Sequence, residues 1–109
     1  MDLLKKRCVP CEAGTLPLTS EEIKEYLKET SDWIFQEGNK HPELVKEFRF
    51  KDFKDAMLFV NSVANLAEKE GHHPNIDIRY NKVFLTLWTH AIKGLSPNDF
   101  ILAVKIDNL

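Results

Sequence analysis

The chain has few of the features that define several large classes of protein. Only four of its 109 residues are glycine, and no glycine-rich nucleotide-binding loop is present. No apolar run is long enough to cross a bilayer. Its 15 lysine and arginine residues are balanced by 17 aspartate and glutamate residues, which gives a formal net charge of −2. The composition therefore disfavours direct nucleic-acid binding and membrane insertion.

Cysteine is also scarce, and both cysteines lie in an N-terminal arm, residues 1–15. The charges of this arm follow a leucine pair, the reverse of a secretory signal, so we expect a cytoplasmic protein. Cys8 and Cys11 form a C-x-x-C pair, which is found in zinc knuckles and in redox dithiols. A structural zinc normally needs four ligands, the other two commonly from a second such pair, and a redox motif should sit at a strand-to-helix junction. Neither is present, so we expect a reduced pair in a poorly ordered arm.

Residues 16–109 alternate between helical and strand patterns. The patterns predict a helix at 20–29, then a β-hairpin whose strands at 33–36 and 44–50 are joined by a turn at 37–42, then a helix at 53–70. A second hairpin follows with strands at 76–80 and 83–89, and a last helix begins at 97. Thr19 and Glu22 form a capping box, Asp52 caps the second helix and Gly71 ends it. We expect one α+β domain, in which three helices pack on one face of a four-stranded, mainly antiparallel sheet.

Four aromatic or apolar positions carry further predictions. Phe59 and Leu66 fall outside the main apolar stripe of the second helix, which favours a subunit contact. Tyr80 is assigned to the core. Trp88 belongs either to the core or to the wall of a site for a flat ring.

Three of the four histidines lie between positions 72 and 90. Imidazole has an unperturbed pKa of roughly 6.5, so the cluster indicates proton transfer or metal binding. Pro74 favours an extended backbone at His73, which directs His72 and His73 to opposite sides and makes them a poor chelating pair. No H-x-x-x-H spacing is present, so proton transfer is favoured over a metal. His90 approaches this corner if the second hairpin packs beside the second helix.

Other polar residues have simpler interpretations. His41 precedes Pro42 in a predicted turn and is left out of the site. Glu68 is either an exposed helix carboxylate or a partner that orients a histidine. Asp99 is assigned as a capping carboxylate of the last helix.

Several separated motifs resemble the signature of the pterin-4a-carbinolamine dehydratase family, also called the dimerisation cofactor of a homeodomain transcription factor. They are Glu68-x-x-x-His72-His73-Pro74, Tyr80-Asn81-Lys82-Val83, Thr89-His90, Gly94-Leu95-Ser96, Asp99 and, upstream, Phe48-x-Phe50-x-Asp52-Phe53. The resemblance implies dehydration of 4a-hydroxytetrahydropterin to quinonoid dihydropterin, in the recycling of tetrahydropterin. It also implies an α+β fold in dimers or tetramers, and chemistry without a metal or an organic cofactor.

The resemblance also implies roles for matching residues. His72 and His90 are the acid–base groups, His73 binds substrate and Glu68 is a supporting carboxylate. Trp88 and Thr89, which precede His90, are further candidates for substrate binding. The chain departs from the family pattern after Pro74, where Asn75 and Ile76 replace an acidic and an aromatic residue.

Two alternative functions stay open. One is a dehydratase-like enzyme for another pterin, linked to molybdopterin metabolism. The other is a non-catalytic dimerisation module that binds a protein partner through its helices.

Overall fold

A computed structural model of the chain describes residues 1–38 and 40–109. Asn39, in the predicted turn at 37–42, lies outside the described residues. The elements follow the predicted order: α1 (Ser20–Leu27), β1 (Ile34–Gln36), β2 (Glu43–Arg49), α2 (Phe53–Glu70), β3 (Asn75–Arg79), β4 (Lys82–Leu87) and α3 (Pro97–Asp107). Short 3₁₀ turns lie at Leu3–Lys5 and His90–Ile92. The predicted α+β class is confirmed.

The four strands form one antiparallel sheet in the order β1-β2-β4-β3. Successive side chains of a strand point to opposite faces, and β4 shows this alternation clearly. Val83, Leu85 and Leu87 are fully buried, whereas Phe84 and Thr86 between them are only partly buried. The buried face of β4 packs with apolar residues of α2 and α3 in one core, so the helices cover this side of the sheet.

The ends of α2 are fixed by the local chemistry that the sequence predicts. The Asp52 carboxylate accepts a hydrogen bond of 2.9 Å from the backbone N–H of Asp55 at the first turn. Gly71 ends the helix in the left-handed region, at φ 66°, where a residue with a Cβ is strained. The backbone N–H of His72 then donates to the Ala67 carbonyl at 3.2 Å. The helix end therefore determines where His72 lies.

The assignment of Tyr80 to the core is wrong. Arg79 pairs with Lys82 across the hairpin, so Tyr80 and Asn81 form the turn instead of Asn81 and Lys82. Tyr80 occupies a turn position with φ 55°, and its side chain is 66% exposed. A two-residue turn directs side chains away from the sheet, which is why strand alternation gave the wrong side for this residue.

The apolar surface of α2 also differs from the prediction. Phe59 and Leu66 pack against the core, and the Phe59 ring lies 4.7 Å from that of Phe48. Phe53 and Leu58 are instead the exposed large apolar residues of this helix. None of the described helices combines the length and apolarity needed to cross a membrane.

The N-terminal arm packs against the domain, in contrast to the poorly ordered arm expected from its composition. Leu3 is 3% exposed and belongs to the hydrophobic core, and its 3₁₀ turn contacts α3. Further along, the backbone of Cys8 and Val9 is hydrogen-bonded to side chains of α2 and α3. An apolar anchor and buried polar partners together hold the arm in place.

Candidate active site

A cleft of about 370 Å³ lies where the C-terminal end of α2, the start of β3, the segment after β4 and the N-terminal arm meet. All three histidines of the predicted cluster line it, so the expected approach of His90 to the 72–73 corner is found. Its lining includes His72, His73, Asn75, Thr89, His90 and Asn98, together with Val9, Pro10 and Cys11 of the arm.

His72 is oriented by a buried carboxylate. Its Nε2–H donates to Asp99 Oδ1 at 2.6 Å, and Asp99 has no exposed surface. The other oxygen of Asp99 accepts from the Thr89 hydroxyl at 2.8 Å and from the Ser96 backbone N–H at 3.0 Å. Three donors around one carboxylate suit its ionised, acceptor-only form. Because Nε2 carries the hydrogen, Nδ1 of the neutral His72 ring is the proton acceptor.

Asp99 therefore does more than the helix capping assigned to it from the sequence. It does accept from Ser96 at the start of α3, and it also holds the ring of His72. Local spacing identifies only the cap, because the contact with His72 arises from the packing of α3 against α2. The presence of Asp99 in the family motif is the one signal in the sequence that points to the second contact.

Glu68 pairs with His73 and not with His72. His73 Nε2 lies 2.5 Å from Glu68 Oε2, and both side chains are mainly exposed, at 59% and 78%. An exposed pair of this kind contributes little to stability. Its effect is to fix the orientation of the His73 ring at the edge of the cleft.

His90 belongs to a stack of three rings. Its imidazole lies 3.9 Å from the Trp88 ring at an interplanar angle of 18°. His41 stacks on Trp88 as well, at 3.4 Å and 9°. Trp88 is partly buried against the core, and its Nε1 is buried without a hydrogen-bond partner among the described residues. Sequence reasoning left out His41, since nothing in a His-Pro turn indicates which aromatic ring it will contact.

The two other predicted substrate contacts differ in position, because Thr89 lines the cleft and Trp88 does not. The Thr89 hydroxyl is within hydrogen-bonding distance of both Asp99 and Ser96, so it supports the carboxylate that orients His72. Trp88 lies behind His90 and does not line the cleft.

Asn75 lines the cleft, whereas Ile76 lies outside its lining and is 37% exposed on β3. The departure from the family pattern that borders the cleft is therefore Asn75.

Within residues 1–38 and 40–109, no group of three or more histidine, cysteine, aspartate or glutamate side chains is arranged to hold a metal ion. What the cleft does bring together is two imidazoles with different surroundings. His72 is paired with a buried carboxylate, and His90 is stacked on an indole.

Proteins of similar sequence carry dehydratase names. A protein of Alkaliphilus metalliredigens is 47% identical over 107 residues, covering 97% of this chain and 94% of that protein. A protein of Vibrio cholerae is 47% identical over 103 residues, covering 94% of each chain. The names of both provisionally assign them as pterin-4-alpha-carbinolamine dehydratases.

Solved structures and a family model agree with these relatives. A crystal structure from Brucella melitensis, described as a transcriptional coactivator/pterin dehydratase, matches with a TM-score of 0.77 and 35% identity over 84% of this chain and 96% of that one. A pterin dehydratase-like protein, described as a RuBisCO assembly factor in the alpha-carboxysome, matches with a TM-score of 0.61 and 28% identity over 73% and 90%. Residues 16–109 match the model described as Pterin 4 alpha carbinolamine dehydratase. The chain belongs to this family of hydro-lyases.

Proposed function

We propose that the cleft binds 4a-hydroxytetrahydropterin and dehydrates it to quinonoid dihydropterin by acid–base catalysis at His72 and His90. The observation that carries the proposal is that both imidazoles line one cleft and that the buried Asp99 orients His72. Family membership and the names of the relatives support the reaction class, a dehydratase acting on a pterin carbinolamine.

The chemistry requires two proton transfers and no covalent intermediate. The lone pair of a ring nitrogen forms a C=N bond while the neighbouring C–O bond breaks, and hydroxide is a poor leaving group. A protonated imidazole gives its proton to the departing oxygen, which leaves as water, and a second imidazole removes a proton from the pterin ring. Each positioned transfer contributes about 10²–10⁴ in rate.

The surroundings of the two histidines support different roles. His72 gives its Nε2–H to Asp99, which leaves Nδ1 to accept the pterin proton, and the carboxylate stabilises the imidazolium that results. His90 has no carboxylate partner among the described residues; its ring is held by stacking on the indole of Trp88, which leaves it to give a proton to the departing oxygen. We therefore assign His72 as the base and His90 as the acid.

The remaining residues of the cleft supply binding. His73, with one ring nitrogen paired to Glu68, keeps its other nitrogen for the substrate. The Asn75 amide lines the same cleft and offers both a donor and an acceptor to a pterin. These steps call for no bound cofactor. They suit a cytoplasmic homo-oligomer that recycles tetrahydropterin, and the exposed Phe53 and Leu58 on α2 support subunit contact.

The test follows the decay of 4a-hydroxytetrahydropterin in the presence of wild type, His72→Ala and His90→Ala. Each substitution is expected to lower kcat by about 10²-fold or more, because a positioned proton-transfer group is removed. Lys54→Ala, at an exposed position on α2, is the control and should retain the wild-type rate. Circular dichroism checks that all variants fold. A wild-type rate equal to the buffer rate would refute the proposal.

A binding role is the second candidate. The Brucella melitensis structure carries the word coactivator in its description, and the exposed apolar residues of α2 in this chain offer a contact surface. Such a module needs the helix surface but neither catalytic histidine. Loss of self-association or partner binding in Leu58→Glu, with retention in His72→Ala, would support it.

A further inference from the structure

We infer that the N-terminal arm is part of the substrate site, with Val9, Pro10 and Cys11 forming a wall of the cleft that contacts the bound pterin. The inference rests on the proposed function, and it concerns residues outside the 16–109 region that the family model matches. These three residues line the same cleft as His72 and His90. A substrate that reaches both histidines therefore lies beside the arm.

The first anchor of this wall is Asn98, which is 5% exposed on the first turn of α3. Its Oδ1 accepts from the Val9 N–H at 3.0 Å, and its Nδ2 donates to the Val9 carbonyl at 2.6 Å. A side-chain amide that bonds both backbone groups of one residue holds the chain on either side of its Cα atom. Because Asn98 precedes Asp99, the same helical turn holds the wall and the partner of His72.

The second anchor is Glu70, whose side chain is 2% exposed. One carboxylate oxygen accepts from the Cys8 N–H at 2.9 Å, and the other accepts from Lys105 Nζ at 2.8 Å. Burial alone would raise the pKa of Glu70, but the bonds from Lys105 and Cys8 outweigh it and hold the pKa below its ordinary value. A buried charge is costly unless it is paired, so this ion pair keeps an ionised acceptor beneath the arm.

The two anchors give the thiols of the C-x-x-C pair different environments. The Cys8 thiol lies 3.6 Å from the Asn98 carbonyl, and burial, followed by the charge of Glu70, raises its pKa to about 12. It therefore stays protonated and unreactive at neutral pH. Cys11 is the thiol that lines the cleft. Cys11 can thus report directly on whether a ligand covers the arm.

The first experiment labels Cys11 with iodoacetamide in a Cys8→Ser protein, with and without the non-reacting pterin 7,8-dihydrobiopterin. Imidazole NMR resonances of His72 and His90 report independently whether the pterin is bound. At a pterin concentration of ten times its Kd, labelling of Cys11 is expected to slow about tenfold, because about 90% of the clefts are occupied. If the histidine resonances shift and labelling does not slow, the arm lies outside the site and this inference is refuted, while the proposed function stands. If neither changes, the proposed function fails and the inference fails with it.

The second experiment compares Cys11→Phe with Ala13→Phe, an exposed position of the same arm that does not line the cleft. A phenyl ring in the wall is expected to raise KM about tenfold and to change kcat by less than about threefold, since it removes binding and leaves proton transfer intact. Ala13→Phe should match wild type in both parameters. Wild-type KM in Cys11→Phe would overturn the inference, as would an equal rise in both variants.

Discussion

The carboxylate of Asp99 is shared between α3 and the candidate base. Its two oxygens receive three hydrogens, from His72, Thr89 and Ser96, and no part of it is exposed. An amide in its place has one acceptor oxygen and an NH₂ group that can only donate. At least one of the three donors must then lose its acceptor.

Asp99→Asn is therefore expected to lower kcat by about 10²-fold or more, because an NH₂ facing His72 reverses the tautomer that leaves Nδ1 free. Steady-state kinetics measures the loss, and Asp77→Asn on an exposed part of β3 serves as the matched control. A thermal melt separates this effect from unfolding. Wild-type kcat in a folded Asp99→Asn protein would show that orientation by Asp99 is unimportant.

His41 is expected to act as a positioning residue through Trp88. Its ring covers the face of the indole opposite to His90, the candidate acid, and lies 3.4 Å from Trp88. Removing one ring of a stack costs about 0.5–1.5 kcal/mol, so His41→Ala should reduce kcat roughly 2–10-fold with little change in KM. His41→Phe keeps a flat ring and should restore the rate. A shifted His90 imidazole resonance in His41→Ala, reversed in His41→Phe, distinguishes positioning from general destabilisation.

The parts of the candidate site that depend on residues close together in the sequence could be predicted. His72, His73 and His90 follow from a helix stop, a proline and a strand end, and all three line one cleft. The side chains that these residues contact could not be predicted in the same way. Glu68 lies one helical turn from His72 and yet pairs with His73, and the stack on His41 joins distant segments. Such contacts depend on how elements pack, which no local spacing encodes.

Among the elements, α2 shows how a helix end sets the position of a site. Asp52 and Gly71 were predicted as its start and stop because capping is local chemistry, and both are confirmed. The turn at Tyr80 was not predicted correctly, because the alternation of apolar side chains along β3 does not show where the strand ends and a two-residue turn begins. Gly71 matters most for the site, since His72 follows it directly.

Gly71→Ala is expected to lower the free energy of unfolding by about 1–2 kcal/mol, the cost of placing a residue with a Cβ in the left-handed region. No heavy atom lies within 4 Å of the added Cβ, so the cost comes from the backbone and not from a clash. Gly71→Asn should lose less, because asparagine tolerates this conformation better. Urea denaturation measures both variants. Equal stability of the alanine variant and wild type would show that the helix end is not strained by a side chain.

In the whole molecule, Glu70 connects three parts of the chain that are distant in sequence. It lies at the end of α2, binds the arm through Cys8 and pairs with Lys105 on α3. The sequence predicted the helices and the sheet from apolar periodicity, but it gave no sign that the arm would join them. That attachment depends on Leu3 in the core and on the buried polar contacts of Glu70 and Asn98.

The same contact predicts how stability depends on pH. The folded-state pKa of Glu70 is lowered from 4.5, so the stabilisation it provides is fully present above that value and is lost as pH falls through the folded-state pKa. Glu70→Gln removes the charge but keeps an acceptor for Cys8. It is expected to cost about 3 kcal/mol at pH 7, because Lys105 is left nearly buried without a counter-charge.

Chemical denaturation of wild type and Glu70→Gln between pH 7 and the acid limit of folding checks this expectation. The difference in free energy of unfolding between them should shrink as pH falls, because protonation of Glu70 removes the same charge that the substitution removes. Glu21→Gln, at an exposed position on α1, controls for the general effect of one lost carboxylate. Two curves that stay parallel down to acid pH would mean that Glu70 does not hold the arm through its charge, and that Asn98 and Leu3 suffice.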